Sequence, residues 1–197
     1  MKKRKDNCVF CRDDFPYEYQ LVSAAPKYWF LILNVEPQCD FHCLIVLKAS
    51  IIDKVGHVSH MGDKRLPDEA MGELGLLLKK ASLAIKKADS TVEKIVVVSL
   101  NTGKNSKHIH IHLIPKRVKE QVKTVNDPKQ DGGGMCFLAR KEILLDTFRK
   151  FLKSTAGGRS NILIKNIDNA TKARVSRNAK ILKKNFEKIW KSNNKTL

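Results

Sequence analysis

His108-Ile109-His110-Ile111-His112-Leu113-Ile114 is the stretch on which the reading of this chain turns. In a strand alternate side chains share a face, so the three imidazoles project one way, roughly 7 Å from one to the next. Ile109, Ile111 and Leu113 then pack into a core. Half of the chain's six histidines fall in these five residues. Three chemistries suit such a face. Imidazoles can sit on a wet sheet surface with no task, though strict alternation against isoleucine makes this the weakest option. Two histidines at i and i+2 can ligate zinc, with an activated water completing a hydrolase site. A neutral imidazole can also attack phosphorus while its neighbours hold it and donate to the phosphate oxygens.

Working outward, β-rich runs precede the histidines near 20–24, from Tyr28 to Val35 and from His42 to Lys48. A long helix is predicted to follow. Pro67-Asp68-Glu69 makes a good first turn, and Ala70, Met71, Leu74, Leu77, Leu78, Ala81 and Ile85 recur at helical spacing. Val92 to Leu100 and His108 to Ile114 read as two more strands joined by a polar turn. Strands, then a helix, then strands imply an α+β fold on an antiparallel sheet, not a doubly wound one. Residues from about 117 to 136 read as a loop through Gly132-Gly133-Gly134, and Phe137 to Lys153 as a helix. After a linker, Val175, Ala179, Leu182, Phe186, Ile189 and Trp190 line one face of a last helix whose other faces are basic.

At 197 residues and 42% apolar content the chain can bury a real core, and two large domains are excluded. The basic start MKKRKDNCVF has no apolar stretch behind it, and YWFLIL and CLIVL are too short to cross a bilayer. The expectation is an intracellular protein, cytoplasmic or nuclear, with no membrane partner. Five cysteines without a secretory signal favour thiols or metal ligands over a disulfide scaffold. Cys8-x-x-Cys11 lacks the βαβ context of a thioredoxin-type redox pair.

HIHIHLI from His108 to Ile114 resembles the His-φ-His-φ-His-φ-φ motif of the histidine-triad (HIT) superfamily of nucleotidyl hydrolases and transferases, matching it at every position. Leu33-Asn34-Val35-Glu36-Pro37-Gln38 and His42 to Lys48 look like that family's nucleotide-site strand, its proline turn and its next core strand. The resemblance covers roughly residues 8–116. It implies a HIT-like sheet of about five antiparallel strands with a long helix packed on it, plus C-terminal helices. The implied organisation is a catalytic core over 1–120, a loop and helix over 121–153 that complete the domain, and a basic linker and amphipathic extension over 154–197.

Carried over by position, the resemblance makes His110 the nucleophile that attacks an α-phosphorus and becomes a nucleotidyl-histidine. His112 would hydrogen-bond the phosphoryl oxygens, with His108 the third member. Asn34 falls where the family contacts the ribose; Asn101, Asn105 and Ser106 fall near the phosphate and leaving group. The turn from Asn101 to His108 is shorter than in the common nucleotide hydrolases and lacks their Gly-Gln step. Many HIT and related uridylyltransferase proteins open with the same cysteine pair and hold a structural zinc. Here Cys8, Cys11 and His108 would be its ligands. The usual fourth position reads Ser50, so His57 or His60 is expected to complete the set, with Cys39 and Cys43 as other thiol sources. The chemistry itself would need no metal. HIT proteins are commonly dimers, so a homodimer is expected.

The charge is +18, and its distribution is uneven: +1 over residues 1–50, +1 over 51–100, +6 over 101–150 and +10 over 151–197. The basic second half predicts attraction to a polyanion. Lys116, Arg117, Lys119, Arg140 and Lys141 flank the histidines and suit distal phosphates or a nucleic-acid backbone. The function the family resemblance implies is a nucleotidyl hydrolase or transferase cleaving at the α-phosphate of a nucleoside 5′-phosphate derivative, such as a dinucleoside (for example diadenosine) polyphosphate or a nucleoside phosphoramidate. The alternatives are deadenylation of nucleic-acid ends and a non-catalytic nucleotide- or RNA-binding module.

Overall fold

The computed structural model describes residues 8–35, 37, 39–99, 108–117 and 167–192. All of them belong to one compact unit built from residues 1–117 together with residues 167–197. Two short 3-10 turns, Val9–Cys11 and Glu18–Gln20, lead into β1 (Leu21–Ser23), β2 (Trp29–Leu33) and β3 (Cys43–Leu47). There follow α1 (Ala49–Val55), α2 (Asp68–Ala88), β4 (Val92–Val98), β5 (His110–Arg117) and α3 (Asn169–Ser192). The five strands form one sheet in the order β1-β2-β3-β5-β4, antiparallel at every junction.

Register assigns the two faces. Leu31↔Ile45 and Ile45↔Ile111 align odd-numbered residues across the middle of the sheet, while Phe30↔Val46, Ile32↔Leu44 and Leu44↔His112 align even-numbered ones. The odd face carries the main core, where Leu31, Leu33, Ile45, Leu47, Ile109, Ile111 and Leu113 meet Leu74, Leu77, Ala81 and Ile85 of α2. On the even face a second cluster forms around Ile32, Leu44 and Val46, with Phe10, Phe15, Leu21 and Phe30 against it. β3 is buried along its whole length for this reason.

α2 is keyed to β2 by polar contacts as well as by its apolar stripe. The indole Nε1–H of Trp29 donates to the Ala70 carbonyl at 2.8 Å. The Glu73 carboxylate accepts the backbone N–H groups of Lys27 at 2.6 Å and Tyr28 at 2.7 Å. At the far end, Arg117 of β5 pairs with Asp89, just beyond α2, at 2.7 Å.

The strands lie close to their expected places, with shifted ends: β5 opens at His110 and runs on to Arg117. Helix α1 was not anticipated. Its seven residues bury Ile52 alone, and it stops at Gly56 (φ 78), so it is too short to show helical periodicity. The helix expected over 137–153 and the loop expected after residue 117 lie outside the described residues.

The C-terminal helix returns to the core. Val175, Ala179, Leu182 and Phe186 of α3 are buried in the main cluster, against α2 and β1. Lys80 of α2 donates to the Trp190 carbonyl at 3.0 Å and sits over the Trp190 ring, 4.4 Å from its centroid. Among the described residues no helix is long and apolar enough to cross a membrane. Because Phe186 is 1% exposed and stacked on Trp190, Phe186→Ala is expected to cost about 3–5 kcal/mol. Urea unfolding would measure it; a loss below about 1 kcal/mol would mean that α3 is not part of the cooperative core.

Candidate active site

His108, His110 and His112 are all buried, at 0%, 7% and 3% exposure. β3 flanks them on one side, and the ring of Phe10 packs 5.4 Å from His108 and 4.9 Å from His110 between centroids. The three side chains share one face, as alternation requires, but they do different things.

His110 is oriented by its own strand. A carbonyl oxygen can only accept, so the 2.9 Å contact between His110 Nδ1 and the His108 carbonyl places the ring hydrogen on Nδ1. Nε2 is then the lone-pair nitrogen. Burial is the main influence lowering the pKa of His110, which keeps the imidazole neutral.

His112 ends a relay. The Nδ2 amide of Asn34 lies 3.4 Å from His42 Nδ1, and His42 Nε2 lies 3.0 Å from His112 Nδ1. With the amide nitrogen so placed it can only donate, so His42 accepts on Nδ1 and carries its hydrogen on Nε2. His42 in turn donates to His112 Nδ1, which leaves the hydrogen of His112 on Nε2. His112 is thereby a donor. Burial pushes His42 down to about 4 and lowers His112 as well, with the neighbouring imidazoles of His110 and His42 adding to the latter shift.

Sequence reasoning placed His42 in a strand and gave it no role. Its signal was a polar residue two positions before Leu44, on the face that register shares with His112. The chain presents it through Phe41, whose φ of 62 lies in the left-handed region that aromatic residues rarely adopt, while the Asn34 N–H donates to the His42 carbonyl at 2.9 Å. Phe10 was likewise not anticipated.

His108 has different partners. Its Nε2–H donates to the Leu47 carbonyl at 2.6 Å, so its Nδ1 lone pair points to sulfur: Cys11 Sγ at 3.2 Å and Cys8 Sγ at 3.5 Å. His57 Nε2 lies 3.3 Å from Cys11 Sγ. Ligand atoms of Cys8, Cys11, His57 and His108 all fall within 4.8 Å of one another. Tetrahedral zinc with Zn–S about 2.3 Å and Zn–N about 2.0 Å sets S···N near 3.5 Å, so the donor set and spacing fit that ion. The Cys8 thiol is held well below its ordinary value, chiefly by its hydrogen bond with Cys11 and also by His108, which favours the thiolate a metal requires.

α1 and Gly56 make this possible by turning the chain back, so that Val58 accepts the Ile109 N–H at 2.7 Å and Arg65 holds the His57 carbonyl at 2.9 Å. Of the two histidines expected as the fourth member, His57 joins the cluster and His60 stays exposed outside it. Cys39 and Cys43 do not join it. Cys43 bonds the Phe41 carbonyl inside β3 and its thiol is pushed up by burial, and Cys39 bonds the Pro115 carbonyl.

The HIT domain family model matches residues 18–119. The chain belongs to the HIT family. It is 28% identical over 131 residues to the adenosine 5'-monophosphoramidase HNT1 of Saccharomyces cerevisiae, covering 63% of this chain and 72% of that one. A hypothetical histidine triad nucleotide-binding protein of Sulfolobus tokodaii superposes with a TM-score of 0.50 at 14% identity, over 90% of this HIT chain and 89% of that chain. The NitFhit protein of C. elegans is also similar, at 23% identity and a TM-score of 0.42; the match spans 51% of this chain and 23% of that much longer one.

Asn34 sits at the head of the relay, and Arg117 is engaged by Asp89 and the Asp40 carbonyl. Asn101, Asn105, Ser106, Lys119, Arg140 and Lys141 lie outside the described residues. His42 has a lowered folded pKa and an ordinary value near 6.5 when unfolded, so burying it neutral stabilises the fold above pH 6.5. That stability is lost as the pH falls from 6.5 toward about 4. The urea midpoint of the HIT domain is expected to drop across this window, and to drop less in His42→Asn. An identical slope in the variant would show that His42 does not contribute.

Proposed function

We propose that this HIT protein is a nucleotidyl hydrolase or transferase that cleaves at the α-phosphate of a nucleoside 5′-phosphate derivative through a covalent intermediate on His110. One observation carries the reading: the bond from His110 Nδ1–H to the His108 carbonyl leaves Nε2 as a neutral nucleophile. In the first step the Nε2 lone pair forms a bond to the α-phosphorus while the bond from phosphorus to the leaving oxygen or nitrogen breaks. In the second, water or another acceptor displaces the histidine and takes the nucleotidyl group. His112, an Nε2–H donor set by Asn34 and His42, donates to the phosphoryl oxygens as charge gathers there.

The apolar wall of Phe10, Phe30, Ile32, Leu44 and Val46 on the same face suits a nucleobase. Asn34, Asn101, Asn105 and Ser106 are assigned to the nucleotide and its leaving group. The similarity to a monophosphoramidase makes an adenosine phosphoramidate the first substrate to test, with a dinucleoside polyphosphate second. A homodimer is the proposed assembly.

Zinc is assigned a structural part, held by Cys8, Cys11, His57 and His108. It would tie the N-terminal turn and the segment after α1 to the start of β5, and it supplies no chemical step. A second reading, removal of a nucleotide from the end of a nucleic acid, is favoured by the basic surface of α3, where all eight Lys and Arg side chains are exposed.

Incubation with labelled substrate followed by denaturation in alkaline detergent is expected to trap an acid-labile nucleotidyl-histidine on the wild type and none on His110→Ala. Turnover of that variant should fall by a factor on the order of 10⁴ or more. Absence of an adduct with phosphoramidate, dinucleoside polyphosphate and adenylated DNA alike would overturn the covalent mechanism. For the metal, elemental analysis is expected to find one zinc per chain in the wild type and in His60→Ala, and a marked loss in His57→Ala and Cys11→Ser. Equal zinc content in all four would remove His57 and Cys11 from the ligand set.

A further inference from the structure

We infer that the exposed face of α3 is a binding surface for the phosphate backbone of duplex nucleic acid, and that it works separately from the histidine site. The helix carries eight basic residues, Lys172, Arg174, Arg177, Lys180, Lys183, Lys184, Lys188 and Lys191, against one acid, Glu187. All eight are exposed. No ion pair between described residues engages them.

Their spacing makes a ridge. Arg177, Lys180, Lys184, Lys188 and Lys191 follow one another by three or four residues, so they stack along one side of the helix. Neighbours are then about 4.5–6 Å apart along the axis and the ridge is about 21 Å long. Val175, Ala179, Leu182 and Phe186, stepping in the same way on the other side, are buried in the main core, so the helix cannot roll and the charges are held outward. A duplex presents one phosphate charge per about 1.7 Å of its axis, or about 12 along that ridge.

The same burial selects among polyanions. An interfacial membrane helix must lay its apolar face in the lipid, and here that face is occupied by α2 and β1. Single strands are gripped by exposed aromatic platforms, whereas Phe186 is buried and Trp190 lies under Lys80. What the surface offers is charge alone, in a line, which is what a duplex backbone meets.

Its location separates it from catalysis. α3 packs with α2 on the odd-numbered face of the sheet, and His110 and His112 lie on the even-numbered face. The surface therefore tethers the protein to nucleic acid and does not line the path of a small nucleotide to His110. This inference names a partner for the second reading above but does not rest on the nucleotidyl chemistry, since its test measures binding without turnover.

The test uses the full chain and short DNA and RNA duplexes, read by fluorescence anisotropy between about 50 and 200 mM salt. Five phosphate contacts predict a slope of log affinity on log salt near −4.5, or a loss of about 500-fold over that range. Neutralising three ridge positions together (Arg177→Gln, Lys184→Gln, Lys188→Gln) is expected to reduce the slope to about −2 and the affinity at least tenfold. The control removes the same charge elsewhere (Lys64→Gln, Lys86→Gln, Lys87→Gln) and should leave the slope within about one unit of the wild type. All these positions are exposed, and thermal midpoints of both variants would verify folding. Excess AMP should not displace the duplex, and the ridge variant should keep wild-type turnover of a small nucleotide.

Equal losses in the two variants would overturn the proposal, since net charge alone would explain the binding. Displacement by AMP would overturn the separation of sites. Tighter binding to a single strand, or to vesicles of phosphatidylcholine and phosphatidylserine, would overturn the choice of partner. None of these outcomes bears on whether His110 forms an adduct, so the two readings fail independently.

Discussion

The register Ile45↔Ile111 commits the odd-numbered side chains of β5 to the core beneath α2, and everything else about the site follows from that commitment. A strand whose isoleucines are anchored on one face has no freedom over the other. Sliding by one residue would bury imidazoles under α2 and expose Ile109, Ile111 and Leu113, at a cost of about 1.5–3 kcal/mol for each apolar side chain. The histidines are thus held in place by their neighbours' hydrophobicity before any hydrogen bond forms.

Hydrogen bonds then give the equivalent-looking imidazoles different chemistry. His108 donates through Nε2 to Leu47 and offers its lone pair to sulfur, His110 donates through Nδ1 to His108, and His112 accepts on Nδ1 from His42. The partners are the backbone carbonyls of Leu47 and His108, the sulfurs of Cys8 and Cys11 at the N-terminal turn, and the His42 side chain just before β3. Burial reinforces the arrangement by keeping His42, His110 and His112 uncharged, so that a lone pair and an N–H donor coexist on neighbouring rings 5.1 Å apart.

α3 shows the same economy on the opposite side of the sheet. Its apolar stripe completes the core, and that packing is what makes its charge usable, because the basic residues cannot turn inward. A charge of +18 on the whole chain says little about a partner; eight exposed basic side chains on a helix whose apolar face is anchored in the core define a surface with a length and a direction.

Much was legible in the sequence because it rests on local periodicity. The alternation of HIHIHLI, the apolar runs at β2 and β3 and the helical spacing of α2 each specify burial within a few residues, and each element appears where its pattern lies. The roles expected of the three histidines came from the family motif and not from their alternation, which makes them look equivalent. What the tertiary structure decided are contacts between residues far apart in the chain. His57 reaches Cys11 across 46 positions because α1 ends at Gly56 and the next residues pair beside β5, a route that seven weakly patterned residues cannot announce. His42 meets His112 across 70 positions, and the sense of their hydrogen bond depends on Asn34. Sequence determined which side chains share a face, because a strand has a period of two; only the packed fold decided which nitrogen of each ring holds a hydrogen, because that depends on what the remaining elements place beside it.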